Sequence, residues 1–281
     1  MENSKQCLKS ATQYYLLYIF IALLATPVVI YSFAFCAEKY LLGNDVSFEN
    51  IMNSSTLDNA SLIIGNLLII VVFIKRKYIR LTISKNLRAE ISRDKKLYLW
   101  AILLKLSSLL PINLFVAFLD LNDYSVASSG NTLSMVSILG ICLLAPLAEE
   151  CVMRGGVEEK LLQRKGHAAI AILLSALLFA ILHIYPSLII AAFLSGIVYG
   201  WVYYRSRNVM VCFLMHAINN TVSCLIDWLQ PGTGSGSDIL FQTRIIVIAL
   251  FCLVFMAASI SSLKKVTLFQ HTMPNKREEK D

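Results

Sequence analysis

Apolar residues fall in eight long runs, near 14–36, 60–74, 97–118, 132–153, 168–185, 187–204, 208–229 and 239–262, separated by short polar stretches. Each run approaches the roughly 20 residues an α-helix needs to cross a bilayer. The pattern therefore predicts an all-α, polytopic membrane bundle of about eight transmembrane helices, with residues 1–281 forming a single integral membrane domain. Residues 263–281 follow as a cytoplasmic tail. The second run is short, and little more than Pro186 separates the fifth from the sixth. The first run exceeds the roughly 7–15 residues of a signal-peptide core and reads as an uncleaved helix.

Composition agrees. The chain is 57% apolar and 15% charged, with a mean hydropathy of +0.66, against about 45–50% and about 25% for soluble domains. Eight spans would use roughly 160 residues. A soluble enzyme, a disordered chain and a disulfide scaffold are excluded. The seven cysteines include no CxxC pair and sit mostly in apolar runs, as small buried hydrophobes do.

The net charge of +7 is unevenly placed. Between the second and third runs lie Lys75, Arg76, Lys77, Arg80, Lys85, Arg88, Arg93, Lys95 and Lys96, opposed by Glu90 and Asp94 alone. The positive-inside rule makes that loop cytoplasmic, so the bias reports topology and no nucleic-acid partner. Alternation then puts both termini in the cytoplasm of a multi-pass cell-membrane protein. The acidic 37–58 loop and the glycine-rich 232–238 turn fall outside.

Ionisable groups inside spans cost about 2.5–3.5 kcal/mol each on insertion scales, so each needs a reason. Lys105, about two turns from the end of its span, is expected to snorkel to the interface. Asp227 and Arg244 would meet as an ion pair across the 232–238 turn. The remaining groups cluster differently. Glu150 and Arg154 are four apart and share a helix face, whereas Glu149 is turned about 100° away. His216 and Asn220 are also four apart, and Phe179 precedes His183 by one turn. If the fourth and fifth runs are helical up to a turn at Lys165-Gly166, Glu149 and His183 stand level, about 25 Å from it.

The pieces EECVMR (Glu149 to Arg154), FAILH (Phe179 to His183) and HAINN (His216 to Asn220) resemble, in order, the EExxxR, FxxxH and HxxxN motifs of the CPBP intramembrane proteases, also called the CAAX-protease, bacteriocin-processing or Abi family. The resemblance covers 149–220; Met153 stands where many members carry Phe. It implies peptide-bond hydrolysis within the membrane, with Glu149, Glu150, Arg154, His183, His216 and Asn220 as site residues. It also implies a membrane-associated protein or peptide substrate and, in bacterial members, roles in peptide processing or bacteriocin immunity.

Amide hydrolysis needs an activated water and donors for the developing oxyanion. Glu149 is the candidate base, His183 would position the water, and His216 with Asn220 would donate to the oxyanion. Cys151 is expected to be a packed thiol. The family carries the name metalloprotease, and His183, His216 and a glutamate would suit a single divalent ion such as zinc. The HExxH spacing is absent, and a metal-free, glutamate-activated water is preferred, with the metal question open. The different-class alternative is an ion-coupled transporter or a non-catalytic scaffold using the same polar cluster.

Overall fold

The computed structural model describes residues 4–44, 46–76, 95–121, 134–164, 167–229 and 239–272, and side chains for all of these except 227–229, 239–244 and 268–272. Among the described residues there is no strand. The helices are α1 (Ser4–Leu41), α2 (Phe48–Met52), α3 (Ser55–Lys75), α4 (Lys95–Phe118), α5 (Met135–Gln163), α6 (Ala168–Ala180), α7 (Pro186–Ser206), α8 (Val209–Leu229) and α9 (Ile239–Thr272).

Seven of them, all but α2 and α6, are long and apolar enough to cross a membrane. The chain is thus a multi-pass, all-helical membrane protein, as its hydrophobic pattern predicts. Helix α6 has 13 residues and is about 20 Å long, short of a hydrocarbon core of about 30 Å. Many large apolar side chains stay exposed, among them Phe33, Leu99, Phe251 and Val254. On a bilayer-embedded bundle such faces meet lipid tails and need no protein partner.

The chain divides into two compact units, Met1–Leu81 with Val126–Ala171 and Thr82–Ser125 with Ile172–Asp281. In the first, α1 packs along α3 and along the second half of α5. Its buried residues Cys7, Ala11, Tyr15 and Tyr18 recur every three or four positions and form one face. Gly156 of α5 lets these helices approach. A Cβ there would lie 3.3 Å from the Tyr14 ring and 3.5 Å from Phe73. Farther along α1, buried Tyr31 donates its hydroxyl to Asp58 of α3.

In the second unit α4 is the hub, packed against α7, α8 and α9. Its buried residues Ala101, Leu104, Lys105 and Ser108 again follow helical spacing. Arg205, in the last turn of α7, donates through Nε to Thr267 Oγ1 at 3.0 Å and through a terminal nitrogen to the Lys264 carbonyl at 3.0 Å, tying α7 to α9. Helix α9 continues through Thr272, so the 263–281 segment read as a tail begins as helix.

Candidate active site

The carboxylates lie in the first unit, on α5. Regular α turns run from Ala145 to Glu150, so the angular offset between Glu149 and Glu150 holds. Glu150 is fully buried and Glu149 is part-exposed. Buried Tyr18 of α1 lies close enough to Glu149 to feel its charge. From Cys151 to Glu158 the helix widens into i→i+5 turns, a geometry frequent at functional sites.

Within this wide segment Arg154 Nε stands 3.2 Å from Glu150 Oε2 and 3.7 Å from Glu158 Oε2, all three side chains fully buried. The Glu150–Arg154 pair matches the four-residue spacing. Glu158 is a fully buried carboxylate that the motif pattern leaves out. It sits four residues beyond Arg154, the same interval that reveals Glu150, and this signal could have found it. Cys151 is a fully buried thiol, as expected.

The imidazoles lie in the second unit. Helix α6 ends at Ala180, and Tyr185 is extended (φ −91°, ψ 134°) ahead of Pro186, the first residue of α7. The chain tightens on the way out, the Leu182 amide reaching the Phe179 carbonyl at 3.4 Å and the His183 amide the Ala180 carbonyl at 3.0 Å. His183 therefore stands in a turn and is not a helix residue. The expectation that it continues a helix level with Glu149 loses its premise at Ala180, and the turn residues 165 and 166 lie outside the described residues.

His216 and Asn220 are on α8, which is regular throughout. Asn208 caps it, its Oδ1 accepting from the Met210 amide at 2.9 Å and the Val211 amide at 3.4 Å, while its Nδ2 donates to the Tyr98 hydroxyl of α4 at 3.3 Å. The cap thus sets both the start of α8 and its seat on α4. Asn219 Nδ2 donates to Asn220 Oδ1 at 3.1 Å, which fixes the orientation of the Asn220 amide.

Aromatic contacts gather the second-unit residues. Phe179 stands edge-on to His183 (ring centroids 5.3 Å, 74°) and to His216 (5.5 Å, 89°), and Tyr199 of α7 stacks on His216 (5.3 Å, 24°). Gly196 makes room for this. A Cβ there would lie 3.1 Å from both Cα and Cβ of Ala176 and 3.4 Å from the Phe179 ring, so only glycine allows α6 and α7 to pack this closely.

Lys105 joins the same cluster. It is fully buried, donates through Nζ to Ser195 Oγ at 3.0 Å, and sits over the Tyr199 ring at 5.1 Å. The snorkelling expectation is overturned, because two partners on α7 hold the ammonium inside the unit. Ser195 and Tyr199 are the residues sequence reasoning missed, and Lys105 is the one it sent to the interface. The interval of four between Ser195 and Tyr199, set beside an intramembrane lysine, was the available signal. Asp227 and Arg244 lie outside the described side chains. Among the described residues no three His, Cys, Asp or Glu side chains form a metal-holding group.

All three motifs thus lie on the helices or turns that carry this buried polar chemistry. Residues 131–222 match the family model of type II CAAX prenyl endopeptidase Rce1-like proteins. Over that segment the chain is similar to Rce1-like proteins, a likeness consistent with a CPBP family intramembrane protease. The Rce1-like segment runs from just before α5 to the middle of α8, about a third of the chain, and contains every motif residue while leaving out α1 to α4 and α9. It supports a CAAX-type intramembrane endopeptidase family for this protein. Comparison with curated proteins gave no match, and comparison with solved structures gave none.

Proposed function

We propose that the chain is an intramembrane endopeptidase that cleaves a membrane-associated protein or peptide with a glutamate-activated water. The observation that carries this reading is the family match over 131–222, which takes in the EExxxR, FxxxH and HxxxN residues in order. In the proposed step Glu149 accepts a proton from water as the water oxygen bonds to the scissile carbonyl carbon. His216 and Asn220 donate hydrogen bonds to the oxyanion, and His183 positions the water. The C–N bond then breaks, and Glu149 returns its proton to the leaving amine.

The buried Glu150–Arg154–Glu158 set is assigned to holding the wide turns of α5, and so the backbone next to Glu149. Part exposure of Glu149 beside full burial of Glu150 supports this division of roles. Where a divalent ion is used instead, His183 and His216 are the imidazoles of this chain that would hold it. The physiological setting proposed is bacteriocin immunity or peptide processing. Both termini are assigned to the cytoplasm on the cation distribution.

The test compares peptide fragments in membranes that hold wild type or Glu149→Gln at equal protein levels. Fragments specific to wild type support the reading. Identical fragment sets contradict it and favour a carrier or scaffold.

A further inference from the structure

We propose that Lys105 is a positioning residue for His216, acting through the Tyr199 ring. The inference rests on the protease reading for its effect on rate, but its structural half stands on contacts alone. Nothing in the motif pattern assigns Lys105, since α4 lies outside the matched segment.

Burial of an ammonium in a membrane helix is expensive, and lysines near span ends ordinarily reach for the interface. Here the side chain is fully buried, with Ser195 Oγ accepting its hydrogen bond at 3.0 Å and the Tyr199 ring at 5.1 Å, within cation–π reach. Ser195 and Tyr199 are four apart on α7, so one helix face supplies both contacts. The same Tyr199 ring stacks on His216 at 5.3 Å. Ammonium, phenol ring and imidazole thus form a chain across α4, α7 and α8, and Phe179 closes on His216 edge-on at 5.5 Å.

An imidazole held on two sides by rings has little freedom to rotate. An oxyanion donor needs that restraint, because productive geometry tolerates only about 0.5 Å and 10–20° of error. Removing the charge frees Tyr199 to tilt, and His216 tilts with it. The bond that His216 makes to the oxyanion then weakens in the transition state, so kcat falls while KM holds.

The experiment uses full-length protein in detergent micelles with histidine labelled at Cε1. The chain has four histidines, and His216→Gln assigns the signal of interest. Lys105→Met should shift the His216 signal and leave that of His167 in place. It should also lower kcat about tenfold, the size expected for loss of one aromatic restraint, with KM and melting temperature unchanged. Lys105→Arg should restore most of both. Tyr199→Leu should reproduce the Lys105→Met effects on the His216 signal and on kcat, at a lower melting temperature because the buried ring leaves a cavity. The double variant should lose no more kcat than the poorer single, since both act on one stack.

If Lys105→Met does not accumulate as folded protein, Tyr199→Leu and Lys105→Arg carry the test by the same two readouts. An unmoved His216 signal overturns the proposal, whatever the rate does. Additive losses from Lys105→Met and Tyr199→Leu also overturn it. Failure of the protease reading looks different: wild type and Glu149→Gln would cleave alike while the His216 signal still follows Lys105.

Discussion

Two adjacent glutamates on α5 carry the same charge and meet different surroundings. Glu150 is sealed against Arg154, while Glu149 is part-exposed near Tyr18. Replacing Glu149 with Gln keeps size and removes proton acceptance, so cleavage should fall by about 10²–10⁴-fold in a protein that still folds. Glu150→Gln instead removes the nearer of the two carboxylates around fully buried Arg154, leaving Glu158 at 3.7 Å, and should lower stability as well as rate. Thermal unfolding of the two variants beside cleavage rates separates the roles. A folded, inactive Glu150→Gln with an active Glu149→Gln would reverse them. His216→Ala and Asn220→Ala should each lower kcat by about 10²–10³-fold as oxyanion donors, measured at matched protein levels.

Element geometry decides where those residues stand, and here the sequence was only partly legible. Spacing of four revealed the Glu150–Arg154 pair, because residues so placed are neighbours on any single helical turn. It did not reveal that α5 widens into i→i+5 turns between Cys151 and Glu158. The apolar run through Ile181 and Leu182 hid the end of α6, although Pro186 announced it. Lys105 misled for a related reason: a lysine near a span end has two places to go, and only tertiary contacts choose between them. Two element-level outcomes follow. Gly196→Val should force α6 away from α7, disturb Phe179, and lower both melting temperature and activity, whereas Gly65→Ala in α3, whose new Cβ would meet Thr26 at an ordinary 3.5 Å, should affect melting far less. Asn208→Ala removes the α8 cap and its bond to Tyr98, and should cost about 1 kcal/mol in unfolding measurements.

At the scale of the whole molecule, hydropathy read the class correctly, because length and apolarity alone make a helix able to span. Orientation is a separate matter and rests on the cations of the 75–96 loop, most of which lie outside the described residues. Reporter fusions at Asn53 and Gly234 should both report the outer side of the membrane; a cytoplasmic signal at either contradicts the assignment. Metal dependence is checked on the same purified protein. The glutamate mechanism predicts cleavage unchanged by chelation and no stoichiometric metal, while chelation-sensitive activity restored by zinc would move His183 and His216 into a metal site. The most direct test of the central claim reconstitutes wild type and Glu149→Gln in liposomes with a cleavable membrane peptide in H₂¹⁸O. Hydrolysis by an activated water predicts that wild type places one ¹⁸O in the new C-terminal carboxylate while Glu149→Gln yields at most about a hundredth of that product. Equal labelled product from both proteins would contradict Glu149 as the base, and no product from wild type across the peptides its own membranes release would contradict the protease assignment itself.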